Sequence, residues 1–271
     1  ADAELTRVIY QRVPVLVNET IENGSPFECQ ITRTFDMARF GQFAKTYIQL
    51  QNLRGHLQSN GVFLVPPKEW KPIIESKTFW ILDHRSATYD GVANDEALKG
   101  NCRSISSFEK EDPRISVTAR YWLPSELVDQ YTTWHTQNYW LAYRNITNTT
   151  NERTMVPTIL PRNCSDYTVR LIFGGKVKDI LCLLLAGNLA SIIFDYTARQ
   201  SVAGTNFSDY IMKQLPAIPP ELYTAEYSNY LIPRVLELVF TAHDLQPFAE
   251  DVLAEIGVET WNAWFPHNPI P

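Results

Sequence analysis

Ile180, Leu181, Leu184 and Leu185 recur at helical spacing, with Lys176, Lys178 and Asp179 gathered in the opening turn. That pattern predicts a helix whose apolar face lies in the core. Gly187 and Asn188 follow, and both tolerate the left-handed backbone that ends a helix, so a tight corner is expected there. Ser191 can cap a second helix through Ile192, Ile193, Phe194 and Tyr196. Beyond Arg199, Gln200 and the polar loop 202–206, Tyr210, Ile211 and Leu215 mark a third, short helix stopped by Pro216, Pro219 and Pro220.

Elsewhere the pattern predicts a helix over 3–17, extended near Pro14, then a turn at Asn23-Gly24-Ser25-Pro26 and an alternating strand over 27–35. A helix over 38–57 takes its stripe from Phe40, Phe43, Tyr47, Ile48 and Leu50. Short strands are expected over 61–65, closed by Pro66-Pro67, and over 78–82. Residues 86–111 turn polar and carry Gly91 and Gly100, which reads as a long loop or soft boundary. Strands follow over 115–122, 139–143, 154–160 and 169–173, with a helix over 125–131 opening on Ser125 and Glu126, and a polar loop over 145–151. Helices over 219–230, 233–241 and 245–255 finish the chain. The expected class is mixed α/β (α+β): a largely antiparallel sheet flanked by helices, with the helix-corner-helix segment near 176–214 packed beside it. The expected division is a connector subdomain at 1–112 and a second domain at 113–271.

With 271 residues, 45% hydrophobic and 12% aromatic, the chain can bury a substantial core. No apolar run approaches the roughly 18 residues that span a bilayer. The opening Ala-Asp-Ala-Glu-Leu-Thr has neither the basic start nor the apolar stretch of a signal peptide, and without an initiating Met it reads as a piece of a longer protein. Cys29, Cys102, Cys164 and Cys182 are too scattered for a zinc ribbon or a disulfide framework, so reduced thiols in a cytoplasm are expected. The Asn145 and Asn148 sequons then count only as loop polarity.

A net charge of −6 and a pI near 5.4 argue against a general nucleic-acid binder. The distribution softens that objection. Residues 114–199 hold nine Lys/Arg against six Asp/Glu, whereas 200–271 hold two against nine, which permits a basic surface on an acidic body.

The order apolar helix, small-residue corner, second helix ending in a basic residue, Gly-containing loop and Lys213-Gln214-Leu215-Pro216 exit resembles the target-recognition domain of adenine-specific DNA methyltransferases. The relatives meant are the large methylases of type II restriction-modification systems and the related phage-defence methylases. FWILDHRSATYDG at 79–91, RISVTARYWLP at 114–124, YWLAYRNITNTTNERTMVPTILPR at 139–162 and FTAHDLQPFAEDV at 240–252 support the same match, and VIYQRVPVLVNE at 8–19 fits more loosely. The resemblance implies that 113–271 is a DNA target-recognition domain reading double-stranded DNA. The partner would be an N-terminal methyltransferase domain of the same polypeptide, with S-adenosylmethionine as methyl donor in the parent enzyme and no membrane involved.

This chain lacks the motifs for methyl transfer itself. No Gly-rich donor loop is present, and Pro66-Pro67 and Pro219-Pro220 have the wrong neighbours for the Asn/Asp-Pro-Pro-Tyr motif that holds a flipped adenine. No cofactor is expected in this chain and no metal ligand set is visible; Asp83-His84-Arg85 supplies too few ligands and reads as a hydrogen-bonded structural corner. The DNA-contact candidates are Asn151, Arg153, Thr154 and Arg162, bracketing one strand, and Arg199, Gln200, Gly204, Thr205 and Asn206 at the end of the helix pair. Arg forks onto phosphate or guanine, Asn and Gln pair with adenine, and glycine lets backbone N–H groups approach a phosphate. Arg153 and Arg162 can equally be internal ion-pair partners, for example of Glu152 or Asp166. Trp134, Tyr139, Trp140 and Tyr143 could stack on bases, although alternation on a strand favours core. The competing function is a protein-interaction module docking a partner subunit in a phage-defence complex, which the acidic balance favours.

Overall fold

The computed structural model describes residues 2–22, 24–268 and 270. In chain order it runs α1 (Asp2–Arg12), β1 (Gln30–Thr32), α2 (Met37–Phe40), β2 (Lys45–Thr46), α3 (Tyr47–Asn52), β3 (His56–Leu57), β4 (Phe63–Val65) and β5 (Lys68–Ile74). The middle comprises β6 (Ala87–Thr88), α4 (Asn94–Leu98), β7 (Arg103–Ser104), α5 (Ser107–Lys110), β8 (Tyr121–Pro124), α6 (Ser125–Tyr131), β9 (Tyr139–Arg144), β10 (Pro157–Pro161), β11 (Cys164–Ser165) and β12 (Val169–Phe173). Six helices close the described chain: α7 (Asp179–Ala190), α8 (Ile192–Ser201), α9 (Asp209–Lys213), α10 (Ala225–Val239), α11 (Gln246–Ile256) and α12 (Val258–Trp264).

The class is mixed α+β, with largely antiparallel sheets. One sheet has the order β1-β12-β9-β10, all antiparallel. Successive strand residues face opposite sides, and β9 is buried on both: Tyr139, Leu141 and Tyr143 join the main core, while Trp140 and Ala142 pack with Phe79, Leu160 and Leu171 on the other face. The second sheet has the order β2-β8-β5-β4-β3, with β11 added parallel to β5. Its β4–β5 hairpin turns at a cis Pro66–Pro67 bond, where Val65 faces Lys68.

The main core forms around α7, which buries Cys182 to Ala186 and Leu189 against α8, α10 and α11. A helix apolar on all sides belongs in such a place. No single helix among the described residues is long and apolar enough to cross a membrane.

The helix-corner-helix segment is present, but its corner is not where the sequence places it. α7 continues through Gly187 and Asn188 to Ala190, and the 63° bend falls at Ser191, whose hydroxyl caps α8 by accepting from Phe194 N. Gly187 serves packing instead, since a Cβ there would lie 2.9 Å from Val235 Cγ2 on α10. Asn188 Oδ1 accepts from Ile218 N at 3.0 Å.

Other expectations shift for similar reasons. The helix over 38–57 is two helices, because Gly41 closes α2 and Thr46 forms a capping box with Gln49 that opens α3. Between them Lys45 and Thr46 pair with Trp122 and Tyr121. Residues 78–82 form no strand; a 3-10 turn at Ser76–Thr78 leads into a bridge between Trp80 and Asp83. The strand over 115–122 starts only at Tyr121. Pro233 does not divide two helices, since α10 runs through it with Ile232, Val235, Leu236 and Val239 buried. α12 is an element the pattern left out. At 24–26, Gly24 N donates to Ile21 O at 3.1 Å, and Asn23 of the expected turn lies outside the described residues.

The polar stretch 86–111 is a folded excursion with β6, β7, α4 and α5. Asp83-His84-Arg85 pins its base: Asp83 takes Lys110 at 2.6 Å, His84 Nε2 meets Asp244 at 2.8 Å, and the buried Arg85 guanidinium donates to the carbonyls of Lys110, Asp112, Ile115 and Thr241. A division at residue 112 passes through both larger sheets, since β12 pairs with β1 and β8 pairs with β5.

Candidate nucleic-acid interface

Two of the polar loops singled out in the sequence lie side by side. Phe207 N donates to Asn145 O at 2.7 Å and Thr147 N to Thr205 O at 3.1 Å, with Ile146 bridged to Asn206, so the loop at 205–207 is zipped along 145–147. The tip of the first loop is an Asx turn, in which Asn148 Oδ1 accepts from Thr150 N, Thr150 Oγ1 and Asn151 N.

A carboxylate on α8 locks the remainder. Asp195 is 4% exposed, and its Oδ1 accepts from Thr154 N at 2.8 Å and Met155 N at 2.7 Å. Its Oδ2 accepts from Arg199 Nε at 2.8 Å, and Arg153 Nε stands 3.5 Å from Oδ1. Arg199 goes on to donate to the carbonyls of Thr149 and Asn151, each at 2.9 Å, and to that of Glu152. Arg153 donates to the carbonyls of Ala190 and Ser191 at the helix corner. Charge-assisted bonds of this kind fix geometry firmly.

The candidates therefore separate by where their polar atoms point. Asn151, Gln200, Gly204, Thr205 and Asn206 are exposed, with Asn151 Nδ2 donating back to Thr147 Oγ1 at 3.3 Å, and a Cβ at Gly204 would meet nothing within 4 Å. Arg153 and Arg199 have their guanidiniums turned inward as braces. Thr154 is fully buried, its N–H on Asp195 and its hydroxyl on Asn148 O, so it is withdrawn as a direct contact. Arg162 is not part of this group. It follows the far end of β10, where Nη2 donates to Thr132 O at 3.3 Å. Of the four aromatics, Tyr139, Trp140 and Tyr143 are core, and Trp134 is 43% exposed.

Asp195 is the residue that sequence reasoning missed. Its spacing four residues before Arg199 on a helix was the available signal.

A second buried polar group lies away from these loops. Glu75 receives Arg120 and the Tyr89 hydroxyl, and Asp166 hangs from Ile74 O through its backbone N–H beside it. Burial, reinforced by the Glu75 charge and opposed by Thr168, raises the Asp166 carboxyl to about 6. The four cysteines are unpaired; burial pushes the Cys29 thiol up to about 11, and Cys164 and Cys182 are raised further. None of them has the depressed pKa of a nucleophilic thiol. Set against known proteins, the chain matches no family model, and no curated protein matches it.

Proposed function

We propose that this chain reads double-stranded DNA sequence for a site-specific adenine DNA methyltransferase of the restriction-modification or phage-defence kind, with methyl transfer from S-adenosylmethionine performed by a separate N-terminal domain. The observation that carries the reading is the zipped pair of loops, whose exposed Asn151, Thr205 and Asn206, together with the exposed Gln200 in the last turn of α8, stand over a buried ionic brace. Loops held by a rigid scaffold suit recognition. Asn and Gln are the side chains that pair bidentately with adenine in the major groove, and Thr hydroxyls contact phosphates or bases. In this reading Arg153 and Arg199 position the loops rather than touch DNA. A cytoplasmic protein acting on DNA, without a membrane, follows from the same proposal.

The test is selection of a random duplex library by the chain joined to its natural N-terminal half. One enriched sequence is expected, and N151A/Q200A/N206A should abolish that enrichment while leaving thermal unfolding unchanged, each lost bidentate contact removing about 1–3 kcal/mol of discrimination. Failure to enrich any sequence would overturn the reading. It would favour the second one, a partner-docking module, for which the exposed Tyr227, Tyr230 and Leu238 on α10 of the acidic C-terminal third are the supporting observation.

A further inference from the structure

The turn that follows α6 is bonded by two arginines, Arg39 and Arg162, beside the exposed rings of Tyr131 and Trp134. The Arg39 guanidinium carbon lies 5.1 Å from the Phe40 centroid and 5.2 Å from that of Tyr131, and Arg39 Nη2 donates to the Tyr131 hydroxyl at 3.1 Å. Phe35 packs edge-on to Tyr131 at 6.5 Å, and Arg33, two residues earlier in the chain, is exposed. Trp134 Nε1 donates to Tyr131 O at 3.0 Å, and its ring lies 4.1 Å from Phe173. Arg162 bonds Thr132 O, and its charge reinforces the burial that lowers the pKa of the neighbouring His135.

These cations are unneutralised. None of the ion pairs among the described residues involves Arg33, Arg39 or Arg162. The nearby acids are engaged elsewhere: Asp36 accepts from Ala38 N at 2.9 Å and Asp129 holds Lys71 at 2.6 Å. In a chain of net charge −6, guanidiniums left without a carboxylate attract anions; Arg33 and Arg39 are exposed, and Arg162 is half-buried with its Nε enclosed. Stacking on an aromatic face orders Arg39 while its charge is retained, which prepares a planar fork for phosphate oxygens.

We propose that Arg33, Arg39 and Arg162 form a contact for the sugar-phosphate backbone of duplex DNA, distinct from the loop patch at the other end of β10. The proposal rests on the DNA-reading function above and adds a sequence-independent contact to it. Five residues of β10 separate the two places, about 17 Å at ~3.3 Å per strand residue, a span equal to about five base pairs at 3.4 Å each.

The test is the salt dependence of duplex affinity, measured with the chain joined to its natural N-terminal half. Each neutralised phosphate contributes about 0.9 to the slope of log K against log salt. R33Q/R39Q/R162Q should lower the steepness of that slope by about 2–3, and R33Q alone, on a side chain without a hydrogen bond among the described residues, by about 1. R12Q/R54Q/K178Q removes the same charge from exposed, unpaired cations elsewhere and should leave the slope unchanged. Equal slopes for the two triple variants, or an unchanged slope for R33Q, sink the backbone contact and leave the reading function standing. A wild-type chain that binds no duplex at all sinks both.

Discussion

Asp166 makes the most direct residue-scale prediction. Its carboxyl is held near 6, chiefly by burial, whereas an unfolded aspartate titrates near 4. A carboxyl raised on folding favours the protonated form, so its contribution to stability is complete below about pH 4 and is lost as pH rises through about 6. The loss is on the order of 2–3 kcal/mol. Asp166→Asn keeps the acceptor for Thr168 N and Thr168 Oγ1 without the charge. Urea unfolding at pH 4.5 and pH 7.5 should therefore show little difference between the proteins at the lower pH and a more stable variant at the higher one. A variant no more stable than wild type at pH 7.5 contradicts the assignment. The carboxylates of Glu109 and Asp112, held down to about 2 by Arg103 and Arg114 respectively, titrate below this window and do not confuse it. At this scale the candidate site was half legible. Residue types and loop polarity pointed to Asn151, Gln200 and Asn206, but sequence carries no information on which way a guanidinium turns. The inward course of Arg153 and Arg199 is set by Asp195, whose partners Thr154 and Met155 are forty residues away in sequence.

At the scale of elements, the strands at 139–143 and 169–173 and the helix at 125–131 fall within a residue of β9, β12 and α6, whereas the strand over 27–35 shrinks to Gln30–Thr32, that over 115–122 starts only at Tyr121 and that over 78–82 does not form. Breaks were harder to read, because a residue that permits a turn does not require one. Gly187 and Asn188 have the chemistry of a helix end yet sit inside α7, where close approach of α10 needs the missing Cβ. Pro233 has the chemistry of a stop yet lies within α10, where burial against α7 outweighs one absent N–H. A double-mutant cycle separates the two readings of Gly187. Alanine in a helix interior gains about 1 kcal/mol over glycine, but its Cβ would press on Val235 Cγ2, and overpacking costs about 1–3 kcal/mol. Gly187→Ala should give no gain in the native background and about 1 kcal/mol of stabilisation in a Val235→Ala background, a coupling of at least about 1 kcal/mol. Destabilisation of equal size in both backgrounds would instead mark a left-handed turn residue.

At the scale of the whole molecule, the two halves expected from the sequence are interwoven. β1 supplies an edge to β12, β5 lies between β8 and the parallel β11, and residues 14–17 run beside 213–217 through bonds such as Leu16 N to Leu215 O at 2.8 Å. The polar composition of 86–111 suggested a boundary, but Arg85 binds that excursion to its base and to Thr241 in the C-terminal third. A fragment of 113–271 would lose the partners of three strands and expose Trp122, Leu123, Leu171 and Ile172, all buried in the full chain. Unpaired ladder groups and uncovered apolar surface of that kind are rarely tolerated. The fragment should therefore lack fixed near-ultraviolet circular dichroism and melt without a cooperative transition. The 271-residue chain should unfold in one step, with calorimetric and van't Hoff enthalpies that agree. A fragment that melts cooperatively with a native-like aromatic signal would restore the boundary at 112, and the DNA-reading loops could then be studied apart from the segment that supplies Arg33 and Arg39. If the fragment fails as expected, the loop patch and the arginine turn must be tested together in the intact chain, since one interwoven fold positions both.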